Sequence, residues 1–438
     1  MLYRKIRSKI KDYITSDHNK ILLVDGARQI GKSFIIRDIG RECFPGYIEI
    51  NLAEDKEQEQ RFASVHTVRD FYLQVSMLAG QKMLSKKETL IFLDEIQEYP
   101  HLLTLLKFLK QDDRYTYICS GSQLGIALSQ TSSIPMGSVE TLRMYQLDFE
   151  EFLLANGFNA AAIDALRDGS KQMESLPEET HENLMRLFRR YLLTGGLPDA
   201  VNSFLADCNI VSLRKIQSDI HAFYAADASK YESDRKLGIR RIYDMIPSTL
   251  ENKKKRIVIK DIDGIKGKTY GDYEEAFEYL ISAGIALEVR AISTPVFPLV
   301  ENSTKNLLKL YLNDVGLLTN VLYSTNANAI LEDIPSINLG AVYESVVASE
   351  LIAHGHKLYY YDNRHKGEVD FLINDYDNLQ VLPIEVKSGK DYRIHRAMNT
   401  FLSNKDYPVQ SGIVLSNQRE RTEESNVRYL PVYDVMFL

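Results

Sequence analysis

Residues 26–33 read GARQIGKS and follow the apolar run Ile21-Leu22-Leu23-Val24. Gly26, four intervening residues and then Gly31-Lys32-Ser33 reproduce the spacing of a phosphate-binding loop. The following FIIRDIG predicts a helix whose N-terminus faces that loop. Free backbone N–H groups and the positive helix end favour an anion there. The loop Gly26, Ala27, Arg28, Gln29, Ile30, Gly31, Lys32, Ser33 and Phe34 is the expected nucleotide-binding segment. Lys32 is expected on the β/γ-phosphates and Ser33 on Mg²⁺. The rival is a Gly-rich strand-to-helix turn that binds nothing.

The next segments support the same reading. ETLIFLDEIQEYP (88–100) is an apolar strand that ends in Asp94-Glu95. An aspartate at such a strand tip can hold the Mg²⁺ shell, and Glu95 is expected to polarise water. YTYICSGSQ (115–123) is a third strand, and Ser120, or else Ser122, is a candidate sensor of the γ-phosphate; ordinary turn chemistry is the competing account. GYIEINLAED (46–55) adds a further strand. Strands alternating with helices predict a P-loop doubly wound parallel α/β sheet with its ligand at the carboxyl ends of the strands.

Bulk properties bound the rest. A chain of 438 residues predicts more than one core. Its 45% hydrophobic and 26% charged content is that of a soluble globular protein. No apolar run is long enough to span a bilayer. The basic MLYRKIRSKIKDYI has no continuous apolar core and no small-residue cleavage site, so no signal peptide is read. Cys43, Cys119 and Cys208 lie far apart, which predicts unpaired thiols and a cytoplasmic location. A net charge of −7 argues against indiscriminate nucleic-acid binding but leaves room for a local basic surface.

In the middle, residues 156–180 predict a peripheral helix or exposed connection. RYLLTGGLPDAV (190–201) breaks a helix at Gly195-Gly196 and Pro198. It suits a small helical subdomain, either moving with nucleotide state or forming a fixed corner. Residues 231–300 read as helix, short strand (IVIKDIDG), helix and hairpin, the order of a winged helix. Lys253-Lys254-Lys255-Arg256 could touch phosphates, whereas Asp272, Glu274, Glu275 and Glu278 would repel DNA, so a protein-contact role is favoured.

In the C-terminal quarter, KLYYYD (357–362), EVDFLI (368–373) and LPIEVKSG (382–389) predict three consecutive strands. The helix GAVYESVVASELIAHG precedes them; a helix near YRIHRAMNTFL and the strand SGIVLSN follow. Alternation puts Glu385 and Lys387 on one face, and Asp370 beside Glu368 and Leu372. Glu344 sits among Ala341, Val347, Ala348 and Leu351, where a bare carboxylate is costly. Two carboxylates about 4 Å apart repel by roughly 4 kcal/mol at an effective dielectric near 20, which a cation would relieve.

GARQIGKS, LDEIQ, CSGSQ and RMYQLDFEEFL (143–153) together resemble the prokaryotic AAA-type ATPases that carry a distinctive C-terminal domain. Where that family often has Gly-Arg before RMYQLDFEEFL, this chain has Gly137-Ser138, so an arginine finger is sought instead among Arg143, Arg189 and Arg190. The order of elements in the last quarter resembles the PD-(D/E)xK nuclease superfamily. That resemblance implies Mg²⁺ or Mn²⁺ on Glu344, Asp370 and Glu385, with Lys387 positioning water. Degenerate ion pairing of Lys387 with Glu385 or Asp370 is the rival. The division implied is a P-loop ATPase domain (1–155), a helical connector (156–230), a winged-helix-like domain (231–300) and a nuclease-like domain (301–438). Expected partners are ATP, DNA, a protein reached through the winged-helix region and further copies of the chain. His354, His356, His365 and His395 show no metal-ligand spacing and receive no role.

Overall fold

The computed structural model describes residues 2–16, 20–125, 137–228, 236–299, 307–332, 334, 337–363, 367–389, 393, 395–407 and 409–438. They pack as two compact units. One holds Arg4–Tyr145 with Ser282–Gly284, and the other holds most of the remainder. Among the described residues no helix is long and apolar enough to cross a membrane.

The first unit is built on strands β1 (Ile21–Asp25), β2 (Gly46–Asn51), β3 (Thr89–Asp94), β4 (Thr116–Gly121) and β5 (Val139–Arg143). Their spatial order is β2-β3-β4-β1-β5 and every pairing is parallel. Parallel sheets are covered on both faces, which is why β1 and β3 are buried at every position. Ile21, Leu23, Ile91 and Leu93 pack with Phe71 of the helix Val68–Ala79 and Leu102 and Leu106 of the helix Pro100–Asp112. Pro100 stands in the first helical turn, where its missing N–H has no partner to lose. The expected α/β sheet is therefore present, with β1 in its interior.

The second unit contains an eight-stranded mixed sheet. Its strands are β6 (Ala286–Ile292), β7 (Leu308–Leu312), β8 (Tyr359–Asn363), β9 (Gly367–Asp375), β10 (Gln380–Lys387), β11 (Gly412–Ser416), β12 (Thr422–Glu424) and β13 (Val427–Pro431). The order is β12-β13-β11-β10-β9-β8-β6-β7. The three strands expected over 357–389 are β8, β9 and β10, joined antiparallel, and β11 adds to β10 in parallel. The helix Gly340–Ala353 is buried along nearly its whole length, so the carboxylate of Glu344 lies inside the unit.

The four-part division expected from the sequence does not follow these cores. Residues 257–259 form no strand, and IVIKDIDG contains instead the short helix Lys260–Asp263. The hairpin β6–β7 does form, antiparallel, but β6 also pairs in parallel with β8 and so extends the C-terminal sheet. A boundary at residue 300 would cut that hairpin, because the free edge of β6 is satisfied by a strand some 70 residues downstream. Residues 156–180 contain the helix Ala160–Lys171, tied to the C-terminal segment by Ser170, whose hydroxyl donates to Asp434 at 3.0 Å. The Gly195-Gly196 corner is buried and held: Asp314 accepts from the Gly196 N–H at 2.7 Å, and Leu147 N–H donates to the Gly196 carbonyl at 2.8 Å.

Candidate functional site

The loop after β1 takes its shape from backbone conformations that the sequence allows. Gly26 has φ +151° and Gly31 has φ +94°, both regions that favour glycine, while Gln29 is carried into the left-handed region at φ 63°. A side chain on Gly26 would run into the carbonyl of Met144. The helix Lys32–Cys43 begins directly at the loop, leaving its first N–H groups directed there. Lys32 is buried and its ammonium donates to the carbonyls of Gly26 at 2.9 Å and Ala27 at 2.7 Å. Burial lowers its pKa, opposed by the charges of Glu95, Asp25 and Asp94. Those three acids therefore lie within electrostatic reach of the lysine. Phe34 is exposed and Ser33 half-buried.

Asp94 ends β3 and is buried; the hydroxyl of Ser120, from β4, donates to it. Ser122 instead accepts from Arg28 Nε at 3.1 Å. Of the two serines considered from sequence, Ser120 is therefore the one that meets the acid. Glu95 is held at φ 56° and its carboxylate accepts from the Gln97 side chain. Two participants were missed in sequence reading. Gln97 lies two residues beyond the acid, a spacing with no motif attached. Asp25, at the end of β1, is buried and its pKa is raised by that burial, against the pull of Arg143 and Lys32. A carboxylate immediately before the first loop glycine was the available signal. Arg143 lies 3.9 Å from Asp25 and over the Tyr145 ring. Arg189 and Arg190 belong to the other unit, on the helix Glu178–Thr194.

The donor set at this loop fits a nucleotide with its magnesium ion: a helix N-terminus and a buried ammonium for phosphate, a hydroxyl and a carboxylate for the cation. Ser33 and Asp94 would hold the ion, whose chemistry is to neutralise charge on the transferred phosphoryl group.

The C-terminal acids form a different environment. Glu344 is buried, and its carboxylate accepts from the ammonium of Lys255 and, at 3.3 Å, from the Tyr311 hydroxyl. Asp370 accepts from the backbone N–H of Val386 at 2.9 Å. Glu385 is paired with Lys387 at 2.8 Å. Burial raises the pKa of both Glu344 and Glu385, and the charge of Asp370 adds to each effect, so the three acids lie within electrostatic reach of one another. Lys387 and Lys255 are held protonated: burial opposes their charge, but Glu385 and Glu344 respectively, with Asp370, raise their pKa overall. Lys309, fully buried, pairs with Glu368.

These residues do not fit a divalent ion in this arrangement. Among the described residues no group of three or more His, Cys, Asp or Glu side chains is placed to hold a metal. The sequence shows that Glu344 needs a partner; that partner is an amine, Lys255, from the basic run expected to touch phosphates. Lys309 and Tyr311 were missed. A lysine and a tyrosine two apart within the apolar LKLYL strand was the available signal. His395 meets Tyr429 at 2.7 Å, His354 meets the Leu438 carbonyl at 2.9 Å, and His365 lies outside the described residues.

Comparison with known proteins agrees with the first unit. Residues 18–153 match the AAA domain family. Residues 185–328 match a domain of unknown function, DUF8612, and residues 339–435 match another, DUF4143. No curated protein matches the chain significantly. Among solved structures the chain is similar to Aeropyrum pernix ORC1 in complex with DNA, at 13% identity and TM-score 0.33, covering 75% of this chain and 94% of that one. It is also similar to the S. cerevisiae Hsp104–ADP complex, at 12% identity and TM-score 0.29, covering 65% of this chain and 38% of that one. At such TM-scores neither likeness bears on function. Fold, loop and family match together support an AAA-type, ATP-binding domain in the N-terminal part.

Proposed function

We propose that the chain is an ATP-hydrolysing AAA-type protein whose nucleotide state controls a nuclease-like C-terminal domain that binds or acts on DNA. The observation that carries the ATPase part is the buried Lys32 at the start of the helix after the loop, its ammonium on the loop carbonyls of Gly26 and Ala27 and within electrostatic reach of Glu95 and Asp94. Lys32 would bind the β/γ-phosphates, Ser33 and Asp94 would hold Mg²⁺, Glu95 would orient water, and Ser120 would report on the γ-phosphate through Asp94. Positioned groups of this kind contribute roughly 10²–10⁴-fold in rate. Purified protein should therefore turn over ATP with Mg²⁺, and Lys32→Ala should lose at least about 100-fold. Equal turnover by Lys32→Ala refutes the assignment.

The DNA part rests on the order of β8, β9, β10 and β11 and on Asp370, Glu385 and Lys387 lying at neighbouring strands. Linear and circular DNA incubated with Mg²⁺ or Mn²⁺ tests it. Cleavage that persists in Asp370→Ala or Lys387→Ala removes these residues from the chemistry. The pairing of Glu344 with Lys255 and of Glu385 with Lys387 favours a second reading, an ATP-dependent regulatory or protein-interaction switch on a catalytically inactive nuclease fold. That reading predicts nucleotide-dependent capture of a partner and no cutting with any metal.

A further inference from the structure

The chain reverses sharply after β3. Glu95 stands in the left-handed region at φ 56°, and Ile96–Glu98 form a single 3₁₀ turn. This reversal brings the side chain of Gln97 back to the acid, where its Nε2 donates to Glu95 Oε2. Charge fixes the direction of the amide, since reversing it would set its carbonyl oxygen against the carboxylate. Gln97 is buried, and its Oε1 has no hydrogen-bond partner among the described residues. That oxygen lies against β4, where a Cβ on Gly121 would stand 2.5 Å from it, so the glycine leaves room for the amide. Successive residues at the end of β4 and just beyond it thus meet three parts of the site. Ser120 donates to Asp94, Gly121 accommodates Gln97, and Ser122 accepts from Arg28.

We propose that Gln97 is a positioning residue for ATP hydrolysis: its N–H fixes one oxygen of Glu95, which leaves the other to accept from the attacking water. The inference rests on the ATP-hydrolysing reading and extends it to the residue that orients its base. A glutamate side chain has three rotatable bonds, and a donor on Oε2 removes that freedom before nucleotide binds. The donor is neutral, so it orients the carboxylate without taking away its charge; a lysine or arginine in the same place would depress its basicity. Asp94 is held separately by the Ser120 hydroxyl, which keeps the two neighbouring acids in different orientations for different tasks. The amide contributes nothing comparable to the fold. A buried carbonyl without a donor is a cost, which an apolar side chain of similar size would not carry.

The test is steady-state ATP hydrolysis by the full chain with Mg²⁺, alongside binding of a fluorescent ATP analogue and the Tm of each variant. Gln97→Leu and Gln97→Met remove the donor while filling its space. Each should lower kcat about 10–100-fold, with KM and analogue affinity within about threefold of wild type and Tm no lower. Glu95→Ala/Gln97→Leu should turn over no more slowly than Glu95→Ala, because Gln97 acts only through Glu95. The proposal is overturned if both single variants match or exceed the wild-type kcat, or if their loss is confined to KM and affinity. It is equally overturned if the loss of kcat comes with a fall in Tm of more than about 3 °C in both. A further loss of about 10-fold on adding Gln97→Leu to Glu95→Ala also overturns it. A wild type that does not hydrolyse ATP, or hydrolyses it no faster than Lys32→Ala, refutes the ATPase reading and the proposal with it. Turnover lost in Lys32→Ala but kept in Gln97→Leu and Gln97→Met refutes the proposal alone.

Discussion

Removing Arg421 should destabilise the second unit far more than removing a surface ion pair. Arg421 and Asp434 are both fully inaccessible and joined by two hydrogen bonds, Nε to Oδ2 at 2.7 Å and Nη2 to Oδ1 at 2.8 Å. Arg421 also donates through Nη1 to the Glu174 carbonyl at 2.6 Å and through its backbone N–H to Ser175 Oγ at 2.9 Å. The pair therefore fastens the C-terminal segment to the turn after the helix Ala160–Lys171. In Arg421→Met the Asp434 carboxylate stays buried with Ser170 as its remaining side-chain donor. Breaking a buried pair from one side costs about 3–5 kcal/mol. At roughly 2 °C per kcal/mol for a unit of this size, the Tm should fall by about 6–10 °C. Replacing both partners, as in Arg421→Met/Asp434→Leu, removes the stranded charge and should cost only about 1–2 kcal/mol for the remaining lost hydrogen bonds. Calorimetry of the full chain with the two single variants and the double variant measures the coupling. Burial already raises the pKa of Asp434 against the pull of Arg421, so the deficit of Arg421→Met should shrink at acid pH as the acid protonates. Single variants that shift Tm by less than about 2 °C, or a double variant equal to their sum, refute the reasoning.

Three further outcomes follow from the same physics. Burial raises the Asp314 pKa from 3.8 to about 6, against its backbone hydrogen bonds, so the folded state binds the proton that the unfolded state releases between those values. Its contribution is thus most favourable below pH 4 and falls by about 3 kcal/mol as pH rises through 6; Asp314→Asn should lose that slope in urea titrations run from pH 4 to pH 8. Gly195 has φ +71° and a side chain there would overlap the Asp314 carboxylate, so Gly195→Ala should cost about 2–4 kcal/mol in the same assay, whereas an exposed glycine such as Gly267 should tolerate the change with a smaller loss. Ser120→Ala removes the hydroxyl that donates to Asp94, and ATP turnover should fall about 10–100-fold with nucleotide affinity changed less than about threefold; an unchanged rate would remove Ser120 from the mechanism.

Most residues of the candidate nucleotide site could be named from the sequence because they lie close together along the chain. Gly26 and Gly31 shape one loop, Lys32 and Ser33 follow in the next turn, and Asp94-Glu95 end one strand. What joined them is the placement of β4 between β3 and β1, an order that strand–helix alternation does not by itself fix. Ser120 could be preferred over Ser122 only once the two were placed, since one lies near the end of β4 and the other just beyond it, and only Ser120 meets Asp94.

The second unit is where tertiary structure decided. Strand alternation correctly grouped Glu385 with Lys387, and the apolar face around Glu344 correctly demanded a partner. The identity of that partner was not legible, because Lys255 and Glu344 are 89 positions apart and nothing local distinguishes Lys255 from its two exposed neighbours. Likewise Asp314 and Gly196, 118 positions apart, meet only in the fold, as do β6 and β8. Backbone conformation, helix starts and strand faces are set by neighbours along the chain, so the amino-acid order alone determined them. Charge compensation in a buried space is set by whichever side chain the packing brings there, and that choice belongs to the folded structure.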